Sequence, residues 1–299
     1  HTLITHALSP EGEVVGGPFM EQTPYLEWRN SVYSTEAETP SAQAITCQGC
    51  HMPTVDAEGT VIETRIARRP SGGDFPAIGP RKPFGRHLLV GGNTQVPAMI
   101  RDNAVALGSP APAAAFDAVI AATRAQLGER SAALAVGSVD ATAGALSFTV
   151  QVTNLTGHKL PTAYPSRRAW LHVRVLDADG GLLFESGASD ATGALLGPDG
   201  SPLASEAVGA APQPHHATIT DGSQVQVYES SLADGAGQPT TVLLAAEAYA
   251  KDNRLLPLGW SADHPEAART LPQGVSGDPD FAAGGDTVRY ALTLPAGTE

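Results

Sequence analysis

The chain is poor in cysteine, methionine, aromatic rings and positive charge, and each shortage removes a class of protein. Only two cysteines, Cys47 and Cys50, occur in 299 residues, so a disulfide framework is excluded as the device that holds the fold. Eighteen Lys and Arg stand against 31 Asp and Glu, a formal charge of −13. That balance excludes a general polyanion binder and with it nucleic acid as a partner. No run of about 18 apolar residues exists, so no membrane span is encoded. The sequence also lacks an initial Met and a leader with an apolar stretch, and it stops at Leu294-Pro295-Ala296-Gly297-Thr298-Glu299 just after an apparent strand. We expect processed or truncated ends, which makes any count of cofactors a lower bound.

What is abundant is turn chemistry. The 32 glycines and 24 prolines make up nearly a fifth of the chain, more than average usage, which predicts many turns and short elements. The length suits two ordinary domains. Up to about residue 108 no strand alternation persists, and Pro and Gly punctuate short apolar runs, so loops and short helices are expected there. One helix is expected from Thr23, with Pro24 at its first position, through Tyr33, and another starts near Pro97. The best helical period runs from Pro112 to about Arg130, with Phe116, Val119, Ile120, Thr123 and Leu127 at three- and four-residue spacing. After Ala132 the period becomes two. Phe148, Val150 and Val152 alternate with polar residues, as do Leu171, Val173 and Val175, and similar runs follow at 225–228, 242–249 and 288–294. Half-buried strands separated by turns predict an antiparallel β-sandwich of the Ig-like kind. The expected fold class is therefore α+β: residues 1–131 form a loop-rich, partly helical region ending in a connector helix, and 132–299 form the sandwich.

The chemistry concentrates at Cys47-Gln48-Gly49-Cys50-His51. Two residues between the thiols match the separation of the two vinyl groups of haem, to which they add, and the adjacent His falls over the porphyrin centre as an iron ligand. A lone disulfide or half of a zinc site could use the same cysteine spacing. Zinc would want a second cysteine pair or a histidine cluster, and a thioredoxin-like redox pair would want a preceding strand and a following helix, whereas Met52-Pro53-Thr54 follows here. Covalent haem c is the expected cofactor of Cys47, Cys50 and His51, at least one per chain, and residues 1–131 are its binding region. Because haem c is attached outside the cytoplasm, we expect a periplasmic or extracellular protein.

His51 fills one axial position, and the other separates electron transfer from ligand chemistry. Met52 is next to the proximal ligand, while Met20 and Met99 sit in apolar contexts that suit core packing, so a second His is favoured over Met. His87 lies in a short apolar run stopped by Gly91 and Gly92. His158 lies in a loop after a strand, where Gly157 allows close approach and Pro161 stiffens the exit. Each reads equally well as an axial ligand or as an ordinary hydrogen-bonded histidine. His172 reads as mid-strand, His215 and His216 as lesser candidates, and His264 as solvated.

The stretches around His1-Thr2-Leu3, Glu21 to Trp28, Cys47 to Pro53, His87 to Asn93, Gly157-His158-Lys159-Leu160-Pro161-Thr162 with Arg167 to Leu171, and Lys251 to Pro257 together resemble the C-terminal part of exported multihaem c-type cytochromes. In that family closely packed haems relay electrons, usually with bis-His ligation, and a β-sandwich follows the last haem. The resemblance implies that His1 is the last residue of an upstream attachment motif. It also implies that His87 and His158 are axial ligands, one to this haem and one to a neighbour.

Weaker constellations are the Asp177/Asp179 and Asp278/Asp280 pairs as calcium candidates, and Arg167, Arg168, Asn253 and Arg254 as contacts for a haem propionate or, with Asp252, as stabilisers of the sandwich. Asn154-Leu155-Thr156 fits a glycosylation sequon at a strand end. The expected function is electron transfer through covalent, bis-His haem, as one module of a multihaem relay. Redox partners are other haem proteins or copies of the same chain, with an oligomer or filament as one form. The rival readings are a haem enzyme with an open distal site acting on a small molecule, and an assembly subunit of a cytochrome polymer.

Overall fold

The computed structural model describes residues 2–56, 58–88, 90–142 and 144–295. It is a mixed α+β structure, mostly sheet, with few helices. In chain order the elements are strands β1 (Leu3–Leu8) and β2 (Val14–Gln22), then helices α1 (Pro24–Arg29), α2 (Cys47–His51), α3 (Gln95–Asp102) and α4 (Ala113–Glu129). Strands β3 (Ala132–Thr142), β4 (Ala145–Asn154), β5 (Arg168–Trp170), β6 (Val173–Leu176) and β7 (Leu182–Ser186) follow. The last are β8 (Thr218–Ile219), β9 (Val227–Ala233), β10 (Pro239–Thr240), β11 (Ala248–Asp252) and β12 (Gly285–Thr293). Among the described residues, no helix is long and apolar enough to cross a membrane.

Two compact units divide the chain: residues 1–32 with 130–299, and residues 33–129. The first 32 residues therefore pack with the strand-rich segment, whereas composition alone groups them with the loop-rich one.

In the strand-rich unit one sheet has the order β3-β4-β12-β8, and a second has β10-β9-β11 with β5 also paired to β9. The long β4–β12 pairing is antiparallel and unbroken from Ala145/Thr293 to Thr153/Gly285. Its inward face is the alternation seen in the sequence, since Phe148, Val150, Val152, Val288, Tyr290 and Leu292 are all buried. They join Leu171, Ile219, Tyr228, Leu255, Leu256 and Phe281 in one core, so strands of both four-stranded sheets contribute to it. Phe148 and Tyr290 stack with ring centroids 4.9 Å apart.

Several expectations are corrected. A hairpin, β1–β2, stands where loops and short helices were expected. Its alternation is hidden by two register shifts and by Gly16, Gly17 and Pro18 within β2. Phe19 fastens it, packing on Leu232 and Ala246, a burial that contributes roughly 1.5–3 kcal/mol. The run 170–175 is not one strand: it breaks at Leu171-His172, with β5 pairing β9 and β6 pairing β7. The break follows the close approach of Gly187, where a side chain would meet the Leu171 carbonyl at 2.2 Å. His172 thus lies outside a strand and faces Glu185 at 2.8 Å. The run 242–249 is a 3₁₀ turn at Leu243–Ala245 leading into β11. The pairing is not wholly antiparallel either, because β8 runs parallel to β12 over two residues.

In the other unit, helix α4 covers the expected 112–130 period and α3 contains Pro97. Among the described residues of 33–129 the only buried apolar side chain is Ile120. Val55, Val61, Ile66, Phe75, Ile78, Val96 and Met99 are all more than two-fifths exposed. A segment of this length normally buries a core of its own.

Candidate functional site

The stretch Cys47-Gln48-Gly49-Cys50-His51 is the single turn of helix α2. Thr46 caps it, its hydroxyl accepting the Gly49 N–H at 3.1 Å, while the Cys50 N–H reaches the Thr46 carbonyl at 3.2 Å and the Met52 N–H reaches the Gln48 carbonyl at 2.8 Å. Residues three and four apart share one helical face, so Cys47, Cys50 and His51 lie together. Gly49 lies on the opposite side, where a β-carbon would sit 2.6 Å from Ile45 Cγ1 and force that side chain to shift. Both cysteines are free and exposed, and His51 is half-buried. Although Cys50 is exposed as a residue, partial burial of its sulfur and then the neighbouring Cys47 push its thiol pKa up. The group offered is the protonated thiol, whose S–H can add across a vinyl double bond.

His87 is held in the same unit, close to the motif. The Arg86 N–H donates to the Pro53 carbonyl at 2.9 Å, and the Phe84 N–H to the Ile62 carbonyl at 2.9 Å. A β-carbon on Gly85 would lie 3.3 Å from Met52 Cε, so the 84–87 segment runs against the residues that follow His51. The exposed His87 ring lies 6.0 Å from that of Phe84.

His158 belongs to the strand-rich unit, in the loop after β4. Its Nδ1 is 3.1 Å from the Lys159 carbonyl oxygen. A carbonyl only accepts, so Nδ1 carries the hydrogen and the lone pair is on Nε2. His1 lies outside the described residues.

Beside His158 is a buried ionic group in which Glu27 and Lys159 join the Asp252–Arg254 pair. The Asp252 carboxylate receives Arg254 Nε at 2.7 Å, an Arg254 terminal nitrogen at 2.8 Å and Lys159 Nζ at 2.7 Å. Glu27 Oε1 is 3.8 Å from Arg254. All four side chains are at most 2% exposed. Burial pushes the Asp252 carboxyl up, but Arg254 and then Lys159 outweigh it and hold it below the ordinary carboxylate range. Of the two roles considered for Asp252 and Arg254, the stabilising one is the one this geometry displays. Arg168 likewise pairs with Glu206 through two 2.8 Å bonds, and Arg167 donates to the Thr162 carbonyl.

His215, Asp278 and Asp286 form a further cluster, with His215 Nε2 2.9 Å from Asp278 and 4.0 Å from Asp286. Nδ1 of His215 faces the amide nitrogens of Gln226 at 2.8 Å and Asn253 at 3.1 Å. Those amides cannot be reversed, because Gln226 Oε1 accepts the His216 N–H and Asn253 Oδ1 accepts the Glu229 N–H. Nδ1 is therefore the acceptor and Nε2–H donates to Asp278, which leaves no lone pair at Nε2 for a metal. Of the calcium candidates, Asp177 Oδ1 accepts the N–H groups of Asp179 and Gly181 in its own turn. Asp278 accepts from the Asp280 N–H and from His215. The sequon Asn154 is 1% exposed and ends β4, its carboxamide consumed by internal hydrogen bonds.

No protein-family model matches the sequence, and no curated protein matches it. A solved structure, the penta-heme cytochrome c552 from Thermochromatium tepidum, aligns with a TM-score of 0.34 and 16% identity over 100% of this chain and 64% of that one. The chain thus spans less than two thirds of that protein's length.

Proposed function

We propose that this chain is an electron-transfer segment of an exported c-type cytochrome, with haem c bound through thioethers to Cys47 and Cys50 and His51 as the proximal ligand. The observation that carries this reading is the α2 turn, which presents both free thiols and the imidazole on one face. The scarcity of buried apolar side chains in 33–129 supports it, because a porphyrin would supply the core that this unit lacks. Each thiol adds its sulfur to one vinyl carbon and its hydrogen to the other, so no oxidant is needed. When bound, the haem supplies a one-electron iron couple.

His87 and His158 are the proposed axial partners, one for this haem and one for a neighbour in a multihaem relay, which gives bis-His iron. In functional terms 1–131 is the haem-binding region and 132–299 an Ig-like sandwich. The redox partners are other haem proteins or copies of the chain.

The test is expression of the chain with an export signal beside a haem-attachment system, followed by intact mass and visible spectroscopy. We expect one haem that survives denaturation, with a low-spin spectrum unchanged by carbon monoxide. Failure to attach haem, while a control c-type cytochrome is matured normally, overturns the reading. A high-spin iron that binds carbon monoxide replaces electron transfer with small-molecule chemistry at an open distal site.

A further inference from the structure

His158 is fastened more thoroughly than a surface loop requires. Its carbonyl oxygen accepts Asn154 Nδ2 at 2.9 Å and lies 2.8 Å from Thr156 Oγ1. The next backbone N–H, that of Lys159, donates to Glu27 Oε2 at 2.9 Å across 132 residues of sequence. The other oxygen of Glu27 accepts from the Thr23 hydroxyl at 3.0 Å, so the carboxylate is itself oriented by the first turn of α1. Asn154 Nδ2 also spans to the carbonyls of Leu255 and Leu256, both at 3.1 Å, and its Oδ1 accepts the Thr156 N–H at 2.8 Å. The loop is thereby tied to β4, to α1 and to the segment after β11. The Lys159 side chain anchors it from below in the ion pair with Asp252.

The peptide group that follows His158 is held by side chains at both its oxygen and its nitrogen, and the ring is turned by the Nδ1–H to Lys159 carbonyl bond. A ligand histidine needs this arrangement: the far nitrogen bonded to a carbonyl, the near one carrying the lone pair, and a backbone that does not yield.

We propose that Glu27, Asn154 and Thr156 are positioning residues that hold His158 as a pre-set axial ligand for a haem iron. This deepens the electron-transfer reading and rests on it.

The test uses the haem-loaded full chain and reads electron paramagnetic resonance of the ferric iron, alongside circular dichroism for folding. His158→Ala is expected to convert low-spin to high-spin iron, and free imidazole restores the low-spin signal. Glu27→Ala is expected to lower the low-spin to high-spin ratio on the order of 10-fold, in the range typical of ligand-orienting partners, again with imidazole rescue. Glu27→Gln retains an acceptor for the Lys159 N–H and is expected to behave as the parent. Should Glu27→Ala not fold, Thr156→Val removes only a hydroxyl at a half-buried position and is expected to move the same ratio in the same direction. A folded His158→Ala with an unchanged spectrum overturns the ligand assignment. An effective His158→Ala with folded but spectrally silent Glu27→Ala and Thr156→Val overturns the positioning role alone.

Discussion

Replacing Asp252 by Asn tests whether the ionic group at the loop base stabilises the strand-rich unit. The substitution keeps shape and one acceptor oxygen, but it removes the charge that meets three cationic contacts at 2.7 to 2.8 Å. Lys159 and Arg254 stay buried, with Glu27 the carboxylate left near Arg254, 3.8 Å away. Breaking a buried pair by deleting one partner costs about 3–5 kcal/mol, because the remaining charge is desolvated without compensation. With a urea slope of about 2 kcal/mol per molar, the midpoint falls by about 2 M. The assay is urea unfolding followed by circular dichroism at neutral pH. A loss under about 1 kcal/mol would refute the reasoning.

The pH dependence supplies a second check on the same residue. The folded-state pKa of Asp252 lies below its unfolded value of 3.8, so its stabilising contribution is fully present above about pH 4 and is lost as pH falls further. Burial lowers the Lys159 ammonium pKa, and Asp252 is the first of the charges that oppose this. Once Asp252 is neutralised, Lys159 sheds its proton more easily in the folded state than in the unfolded one. The unfolded chain then binds more protons, and the penalty of the variant shrinks as pH rises toward 10.

Further expectations concern the motif and a half-buried histidine. The Cys47→Ser/Cys50→Ser double variant is expected to release all haem into acid-acetone, whereas each single variant retains a covalently bound fraction; retention in the double variant would break the thioether assignment. Gly49→Ala places a β-carbon 2.6 Å from Ile45 Cγ1, so the yield of attached haem should fall and recover when Ile45→Ala is added. An unchanged yield in Gly49→Ala would show that the tight turn is unnecessary. His216 is pushed down to about 4 by burial, then by Lys251 and His215. Its ring resonances should stay in the neutral form until about pH 5, and folding stability should decline from pH 6.5 toward 4 as the unfolded chain takes up the proton first; a titration midpoint near 6.5 would contradict this.

Local features were legible in the sequence and distant ones were not. The spacing of Cys47, Cys50 and His51 is a statement about neighbouring residues, and one helical turn realises it. The alternation of Phe148, Val150 and Val152 is equally local, and the α4 period needed only side chains three and four apart. The β1–β2 hairpin was hidden because glycines and register shifts replace alternation there, and what fixes it is Phe19 meeting Leu232 and Ala246 more than 200 residues away. His87 and His158 were indistinguishable as ligands in sequence, and the His158 loop is set apart by its hydrogen bonds.

The amino-acid order by itself determined the spacing of Cys47, Cys50 and His51, the acidic charge and the strand periodicity, since each depends on residue type and on separations of a few positions. Tertiary structure alone decided which charges are buried and which histidine tautomer is held. Glu27, Lys159 and the Asp252–Arg254 pair lie in distant parts of the chain with no spacing signal to join them, and they meet because folding removes them from water together, where each charge requires its partner.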